Sequence, residues 1–374
     1  MIDNDTKIIS VSLRLATEDD KHLDTYDNTK LQAVNTCPTW GVLRYQMHKT
    51  FAGSGRAMAL EAGSAMHEVF AAVRLWQLWH YDLPKDFEQL TGMPHPLVNF
   101  HGVRLFGKDR YEDMLAQLNP EEDERSNCML FCLQALFNSG FYDDPSDRRR
   151  TMSNLEECAI MYIDKWDFRR NPIWIRDIDN PQSDVGIEIA FDVVITYHLQ
   201  HFTDEVEYTK EYRFTGKLDG LHTRDGKLVV SENKTASRLD DAWRQSFEMS
   251  SQITGYALAG SVFTGEPITK AIVYGVQVPL PKSYDLGGHC VEYVNRSSES
   301  FERWFEWFLH SVSYYETFKD DPTSAPRYTH SCNRYFRPCS FITFCVADKE
   351  EQEVILEEMV TEEWSPLHET QGAD

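Results

Sequence analysis

Three consecutive strand-like segments constrain the fold of this chain more than any other part of its sequence. All three are rich in β-branched and aromatic residues, and they span residues 185–197, 207–222 and 227–234. Asp225-Gly226, between the last two, is a strong signal for a hairpin turn. The pattern that follows predicts a helix over 240–263 and a strand over 270–279. This order indicates an α/β or α+β fold, with a mixed central β-sheet flanked by helices.

Helical patterns lie on both sides of this strand-rich region. Apolar residues at helical spacing predict a long helix over 56–80, and another helix is expected over 298–319. Between 81 and 181, turns rich in Pro, Gly and Asp alternate with short helical stretches. The expected divisions are an N-terminal segment with the first core helix in 1–80, a helical insertion in 81–181, a sheet-containing core with a C-terminal cysteine cluster in 182–346, and an acidic tail in 347–374.

The net charge of −23, from 60 acidic against 37 basic residues, limits the functions open to the chain. It argues against a protein that coats nucleic acid indiscriminately. An enzyme that holds a polyanion in a local channel stays possible, because salt screens charges beyond about 8 Å in the cell. No segment approaches the length of a membrane span, and the N-terminal residues lack a secretory signal. We therefore expect no membrane partner and a cytoplasmic location, the host cytoplasm if the protein is viral.

The residues able to bind a metal or take part in catalysis cluster around the predicted hairpin. Alternate side chains of a strand share a face, so Glu232 and Lys234 point the same way and Asn233 points away. Pairing about the turn brings Asp219 near the same end. Two carboxylates and an ammonium would converge there, and the backbone carbonyl of Asn233 would add a third oxygen ligand for Mg²⁺ or Mn²⁺. Lys234 would hold a metal-bound water and offset charge that builds on a phosphate.

A plainer interpretation of Glu232 and Lys234 is an exposed cross-strand charge pair, which is the commoner use of such a pattern. The residues directly before them, 228–230, are all apolar and are typical of a buried strand. The charged residues therefore emerge at the end of a core element. This context favours a functional site over a solvent-exposed charge pair at a strand edge.

At these residues the sequence resembles the PD-(D/E)XK nuclease superfamily, and within it the RecB-like branch that includes CRISPR adaptation nucleases and phage exonucleases. The resemblance rests on three motifs in the family order: Gly216-Lys217-Leu218-Asp219, Glu232-Asn233-Lys234 and Gln252-Ile253-Thr254-Gly255-Tyr256. It implies a restriction-endonuclease-like core in which Asp219, Glu232 and Lys234 are catalytic. Gln252 and Tyr256, one helical turn apart, would contact the Lys234 region or substrate phosphates.

His67 enters the site only through this resemblance, because an isolated helical histidine is more often a surface or core residue. The RecB-like branch has Gly-x-x-x-His on its first helix, and this chain has Gly63 four residues before His67. The resemblance implies that His67 ligates the metal beside Asp219 and Glu232. A nitrogen ligand would shift the preference from Mg²⁺ towards Mn²⁺. Glu188, in the strand before the hairpin, is a weaker candidate for a supporting role.

Four cysteines form a second candidate site: Cys37, Cys332, Cys339 and Cys345. Four thiolates can hold a 4Fe-4S cluster or a structural zinc ion. Several RecB-like nucleases hold a 4Fe-4S cluster with one N-terminal and three C-terminal cysteines, so the resemblance implies a cluster, with zinc as the alternative. Cys332 departs from the commonest pattern, since six residues separate it from Cys339 where two are usual. His330 is therefore an alternative fourth ligand.

The resemblance implies a metal-dependent deoxyribonuclease, an exonuclease that hydrolyses phosphodiester bonds at the ends of single-stranded or duplex DNA. A helicase, recombinase or adaptation protein would be a compatible partner. Basic and aromatic residues that could meet DNA lie within 148–150, 166–170 and 334–337. Two other classes stay open. One is a non-catalytic DNA-binding or assembly subunit with a nuclease fold, and the other is an acidic zinc-binding interaction protein.

Overall fold

The structure is a computed structural model, and it describes residues 6–51, 58–77, 124–165, 173–174, 186–203, 205–224, 226–280, 288–319, 321–334 and 337–363. Its centre is an eight-stranded mixed sheet with the strand order β1-β5-β6-β7-β8-β9, in which β2 and β4 also pair with β6. These strands are β1 (Thr6–Leu15), β2 (Thr25–Tyr26), β4 (Ile173–Trp174), β5 (Ile187–His201), β6 (Glu207–Arg224), β7 (Lys227–Ala236), β8 (Lys270–Gln277) and β9 (His289–Asn295).

The hairpin of β6 and β7 forms as its turn signal predicts. Its ladder runs from Arg224 opposite Lys227 to Gly220 opposite Ser231. Gly226 in the turn has a φ of +70°, a conformation that favours glycine. Beyond Gly220 and Ser231 the two strands follow different neighbours, because β6 continues along β5 while β7 runs parallel to β8. A fork therefore opens in the sheet next to Asp219 and Glu232.

Helices cover both faces of the sheet, which confirms the predicted mixed sheet flanked by helices. In the described residues they are α1 (Asn28–Thr36), α2 (Pro38–Tyr45), α3 (Met58–Gln77), α4 (Glu124–Asn138), α5 (Met152–Lys165), α6 (Asp241–Gln245), α7 (Ser251–Thr264), α8 (Ser298–Thr317), α9 (Ile342–Val346) and α10 (Lys349–Glu358). None of these helices is long and apolar enough to cross a membrane.

The two largest hydrophobic cores among the described residues lie on opposite faces of the sheet, because successive strand residues point to opposite faces. Val229 and Ile272 pack against α3, α4 and α5 in the first core. Val230 and Val273, the next residue of each strand, pack against α7 and α8 in the second. The described helices of the region 81–181 are thus part of the first core. The part of the expected helical insertion before residue 124 lies outside the described residues.

The helix expected over 240–263 is two helices, α6 and α7. The hydroxyl of Ser250 accepts a hydrogen bond from the Ile253 N–H at 3.4 Å and caps the start of α7. A serine competes with the helical backbone for such bonds, so it favours a helix start over a helix interior. Gly265, with a φ of +71°, ends α7 where Gly-x-Pro predicts the end.

Two short two-stranded sheets lie outside the central sheet, and one of them joins an N-terminal segment to a C-terminal one. Strand β3 (Lys49–Thr50) pairs with β12 (Val360–Thr361), which belongs to the acidic tail. Strands β10 (Asn333–Arg334) and β11 (Arg337–Pro338) form a small hairpin between Cys332 and Cys339. The described part of the acidic tail is therefore a helix and a strand that pack on the N-terminal region.

Candidate metal centre

Three acidic side chains lie in a row across the fork of the sheet. Ile187 opposite Gly220 and Ile189 opposite Leu218 bracket Glu188 and Asp219, which places these two side by side on β5 and β6. Glu232 on β7 is the next residue beyond the pair of Gly220 and Ser231, which places it beside Asp219. All three are buried, with exposed fractions of 8%, 7% and 2%. Like charges side by side destabilise a sheet, so this row requires compensating cations.

Glu188 reaches the row through an unusual backbone conformation. Its φ of +52° lies in the left-handed region, where a residue other than glycine is strained. Regular alternation would place Ile187 and Ile189 on one face, yet Ile187 belongs to the first core and Ile189 to the second. At Glu188, therefore, the alternation of β5 is interrupted, and the side chains before and after it point to opposite faces of the sheet instead of to the same face.

Cationic side chains surround the row. His67 on α3 has Nδ1 3.4 Å from Oδ1 of Asp219 and 4.0 Å from Oε1 of Glu188. Lys217 Nζ lies 2.5 Å from the other Glu188 oxygen, Oε2. Lys234 Nζ forms an ion pair with Oε1 of Glu232. Three positive groups thus face three carboxylates when no metal is bound.

The pKa values show how strongly these groups interact. Burial alone would lower the pKa of His67, but Asp219 and Glu188 raise it to about 10. Burial and then the nearby Asp219 charge raise the pKa of Glu232 to about 7. Burial would raise the pKa of Asp219, yet His67 and Lys234 hold it below its usual value. At neutral pH the metal-free site therefore holds an imidazolium, and Glu232 is close to its titration point.

Asp219 and Asn233 connect the two sides of the fork. The backbone N–H of Asn233 donates to Oδ2 of Asp219 at 2.6 Å, so a side chain takes the place of the missing ladder bond. Glu232 Oε2 is buried and has no hydrogen-bond partner among the described residues. A buried carboxylate oxygen without a partner is costly, and a cation would satisfy it.

Gln252 and Tyr256 lie one turn apart on α7, as the motif spacing predicts. Gln252 Nε2 donates to the Tyr256 hydroxyl at 3.0 Å. The Tyr256 ring packs edge-on against Phe191, with centroids 5.8 Å apart. Burial and then the Glu232 charge raise the pKa of Tyr256, which places the phenol within electrostatic range of the carboxylate row. Helix α7 therefore approaches the row from the face opposite α3.

The residues present fit a hard divalent cation. His67, Glu188 and Asp219 offer ligand atoms that all lie within 4.8 Å of one another. Glu232 adjoins this group and is held by Lys234, and the unpartnered Glu232 oxygen is a further donor. Oxygen donors with one imidazole suit Mg²⁺ or Mn²⁺. Glu188, which the sequence pattern gives as a weaker candidate for a supporting role, is thus part of the possible metal site. The residue pattern could not predict the positive backbone φ that brings it there.

The four motif cysteines lie close enough to affect one another electrostatically. Burial raises the pKa of Cys339, a backbone hydrogen bond from Phe341 opposes this, and the thiols of Cys37 and Cys332 add to the increase. The pKa of Cys345 is raised to about 11, first by burial, with contributions from the other three thiols. His330 is exposed and stacks on Tyr328. Cys128 and Cys132 pack together inside the first core, with sulfur atoms 3.9 Å apart.

Few of the expected DNA-contacting residues can be placed. Arg149 donates to the carbonyls of Ser237 and Val278, and Arg150 pairs with Asp147, so both have structural contacts. Arg148 is exposed. Residues 166–170 and 335–336 lie outside the described residues, as do the side chains of 334 and 337.

A mixed sheet that forks beside buried carboxylates, a histidine and a lysine defines a class of protein able to bind a divalent cation. Comparison with known families is more specific, because the pattern of the PD-(D/E)XK nuclease superfamily matches residues 28–346. The chain belongs to the PD-(D/E)XK nuclease superfamily. That family is a superfamily of nucleases.

Other comparisons are less extensive. The chain is similar to a solved structure titled "Crystal structure of SSO0001", at 18% sequence identity and a TM-score of 0.24. The similarity covers 37% of this chain and 53% of that one, so the chain spans about half the length of that structure. No curated protein matches the chain.

Proposed function

We propose that this protein is a metal-dependent deoxyribonuclease that removes nucleotides from DNA ends. The observation that carries the proposal is the buried row of Glu188, Asp219 and Glu232 at the fork, with His67 on one side and Lys234 on the other. Burial of this many charged side chains lowers the stability of the fold, and buried groups with shifted pKa values are typical of functional sites. The preference for DNA ends rests on the RecB-like order of the motifs.

Within this proposal, His67, Asp219 and Glu232 hold the metal, with Glu188 and the Asn233 carbonyl as further ligands. A bound Mn²⁺ or Mg²⁺ ion supplies Lewis-acid polarisation of the phosphate and an activated water. The chain itself must hold its ligands in the deprotonated form, and the carboxylates of Asp219 and Glu188 meet that need because their pKa values are lowered. The histidine makes Mn²⁺ the expected better activator.

Lys234 and the α7 pair act on the substrate. The Lys234 ammonium carries its charge at neutral pH, because Glu232 and Asp219 raise its pKa against the effect of burial. It would orient the attacking water and offset the charge that develops on the phosphate. The Tyr256 hydroxyl accepts its bond from Gln252, so its own proton stays available for a phosphate oxygen.

A nuclease assay with a matched lysine pair tests this proposal. Lys234→Ala is compared with Lys227→Ala, which removes an exposed lysine from the same strand, β7. End-labelled linear DNA, single-stranded and duplex, should be degraded by the wild type and by Lys227→Ala only with Mn²⁺ or Mg²⁺. Lys234→Ala should lose cleavage while it keeps the circular dichroism spectrum of the wild type.

The outcomes separate the possible functions. Full cleavage by folded Lys234→Ala would exclude the proposed centre. Cleavage of covalently closed circular DNA at the same rate would contradict action at ends. Tight DNA binding by the wild type without cleavage would support a non-catalytic DNA-binding subunit instead.

We also propose that Cys37, Cys332, Cys339 and Cys345 hold a 4Fe-4S cluster. Six residues separate Cys332 from Cys339, and strand β10 pairs with β11 between the two cysteines. The Cys339 N–H donates to the Cys332 carbonyl at 2.8 Å. This pairing brings the backbones of the two cysteines together despite the unusual spacing. The exposed His330 is the poorer ligand.

The preference for a cluster over zinc rests on the RecB-like layout of one N-terminal and three C-terminal cysteines. Four thiolates can also hold a structural zinc ion, so both iron and zinc must be measured.

Metal analysis of anaerobically purified protein tests the cluster. The wild type and Cys290→Ala, a control outside the cysteine group, should be brown and contain iron and acid-labile sulfide. Cys339→Ala should lose both. Stoichiometric zinc in colourless wild-type protein would overturn the cluster and support a zinc site.

The boundaries at residues 80, 181 and 346 are likewise a proposal, which limited proteolysis would test.

A further inference from the structure

A cavity of about 420 Å³ lies between α1, α7 and α8, apart from the metal centre. Ser251 and Thr254 of α7 line it. With 3.6 residues per turn, Thr254 lies about 160° around the helix from both Gln252 and Tyr256. The cavity therefore opens on the face of α7 that points away from the carboxylate row.

A buried arginine forms the floor of this cavity. Arg296 is 7% exposed, and its side chain donates to four neutral oxygens. These are the Thr254 hydroxyl at 2.7 Å and the carbonyls of Phe247 at 2.8 Å, Asn295 at 3.2 Å and Ser250 at 3.3 Å. A guanidinium has five N–H groups, so one on Nη1 is left over.

No carboxylate compensates the charge of Arg296 within 4 Å in the described part of the chain. Glu248, the single acidic residue that lines the cavity, acts on it only at longer range. Buried charges are usually paired, because removal from water is costly. A cavity with an uncompensated cation in its floor is suited to an anionic ligand.

Helix α8 adds a second cation and an aromatic surface. Arg303 lines the cavity, is exposed, and makes no ion pair or hydrogen bond with the described residues. Trp307 lies one turn further along and is half-buried. Its neighbour Trp304 is fixed, because its indole N–H donates to the Ser251 carbonyl at 2.8 Å. Across the cavity lie Gln32 and Asn35 of α1. Their amide nitrogens donate to the hydroxyls of Ser251 at 3.1 Å and Ser311 at 2.7 Å, so each amide keeps its oxygen and a second N–H for a ligand.

We propose that this cavity binds one nucleotide. Arg303 and the remaining N–H of Arg296 would hold the phosphate, and the indole of Trp307 would stack on the base. The amides of Gln32 and Asn35 would meet polar groups of the base or sugar. The volume lies in the range of ligand pockets, about 300–1,000 Å³. The same chemistry fits a free mononucleotide or one nucleotide of a DNA strand.

Calorimetric titration in the presence of EDTA tests the proposal without any contribution from a bound metal. The ligands are deoxyadenosine monophosphate, deoxyadenosine and inorganic phosphate. Deoxyadenosine monophosphate should bind, and each of the other two should bind at least about tenfold more weakly. Arg303→Ala should weaken the nucleotide by at least about tenfold. The control Arg244→Ala, an exposed arginine on α6 that pairs with Glu292 and does not line the cavity, should bind like the wild type.

Three results would overturn the proposal: no binding of the nucleotide, inorganic phosphate as strong as the nucleotide, or nucleotide binding unaffected by Arg303→Ala. A short oligodeoxythymidine, titrated into Lys234→Ala, separates the two sources. Tighter binding than the mononucleotide, lost in the double variant with Arg303→Ala, assigns the cavity to a DNA strand. Exclusive binding of the mononucleotide assigns it to a free nucleotide. Because binding is measured without metal, failure here leaves the proposed cleavage activity untouched.

Discussion

Two motif glycines should respond in opposite ways to the same substitution. A Cβ at Gly216, in the Gly-x-x-Asp motif, would lie 2.6 Å from Cζ and 2.8 Å from Cε1 of the Phe191 ring. A Cβ at Gly63, one turn before His67, would meet only the Thr235 hydroxyl at 3.7 Å, an ordinary contact. The resemblance treats both glycines as motif positions, but the structure gives only the first a steric reason.

The magnitudes follow from packing. Phe191 is 3% exposed and lies between Phe214 and Tyr256, at centroid distances of 5.2 and 5.8 Å, so its ring has little room to move. Gly216→Ala should therefore destabilise the protein by about 1–3 kcal/mol, the usual cost of overpacking. Gly63→Ala, inside α3, should stabilise it by up to about 1 kcal/mol through helix propensity.

Urea unfolding of the two variants, followed by circular dichroism, measures both changes. Phe191→Leu combined with Gly216→Ala should recover part of the loss, because the smaller side chain vacates the ring position. A Gly216→Ala variant as stable as the wild type, or a Gly63→Ala variant that loses as much stability as Gly216→Ala, would refute a steric role for Gly216. A cost without rescue by Phe191→Leu would place the strain elsewhere.

Three further predictions concern the metal site and helix α7. Because His67 is protonated below a pKa of about 10, Mn²⁺ binding must displace its proton, so affinity should rise about tenfold per pH unit above pH 7, and more steeply below it, where Glu232 with its pKa of about 7 also releases a proton. Titrations in buffers of different ionisation enthalpy should detect the released proton, and His67→Asn should remove that part of the pH dependence. Mn²⁺ at about 100 times its Kd should stabilise the wild type by about 2.7 kcal/mol in thermal unfolding, and Asp219→Asn should show no such gain. Ser250→Ala, which removes the cap of α7, should cost about 1 kcal/mol in urea unfolding, and no loss would contradict the capping role.

Local patterns in the sequence were sufficient for the elements that define the fold. Alternating β-branched residues and the Asp-Gly turn predicted the hairpin, and apolar periodicity predicted α3 and α8. Strand β9 was not predicted, and the N-terminal pattern fits either a strand or a loop, because β1 and β9 lie at the two edges of the sheet and depend on pairing with one neighbour. The division of one expected helix into α6 and α7 depends on a single serine cap.

The sequence by itself determined which polar residues of the candidate site lie together: Asp219, Glu232 and Lys234 on one hairpin, with Gln252 and Tyr256 one turn apart on a helix. These are short-range relations, fixed by strand alternation and helical rise. Only the tertiary structure placed Glu188 beside Asp219, because that contact requires the register of β5 on β6 and a positive φ. The contact of His67 with the carboxylate row, and the burial of Arg296 without a carboxylate partner among the described residues, likewise arise from packing between distant segments, which no local pattern encodes.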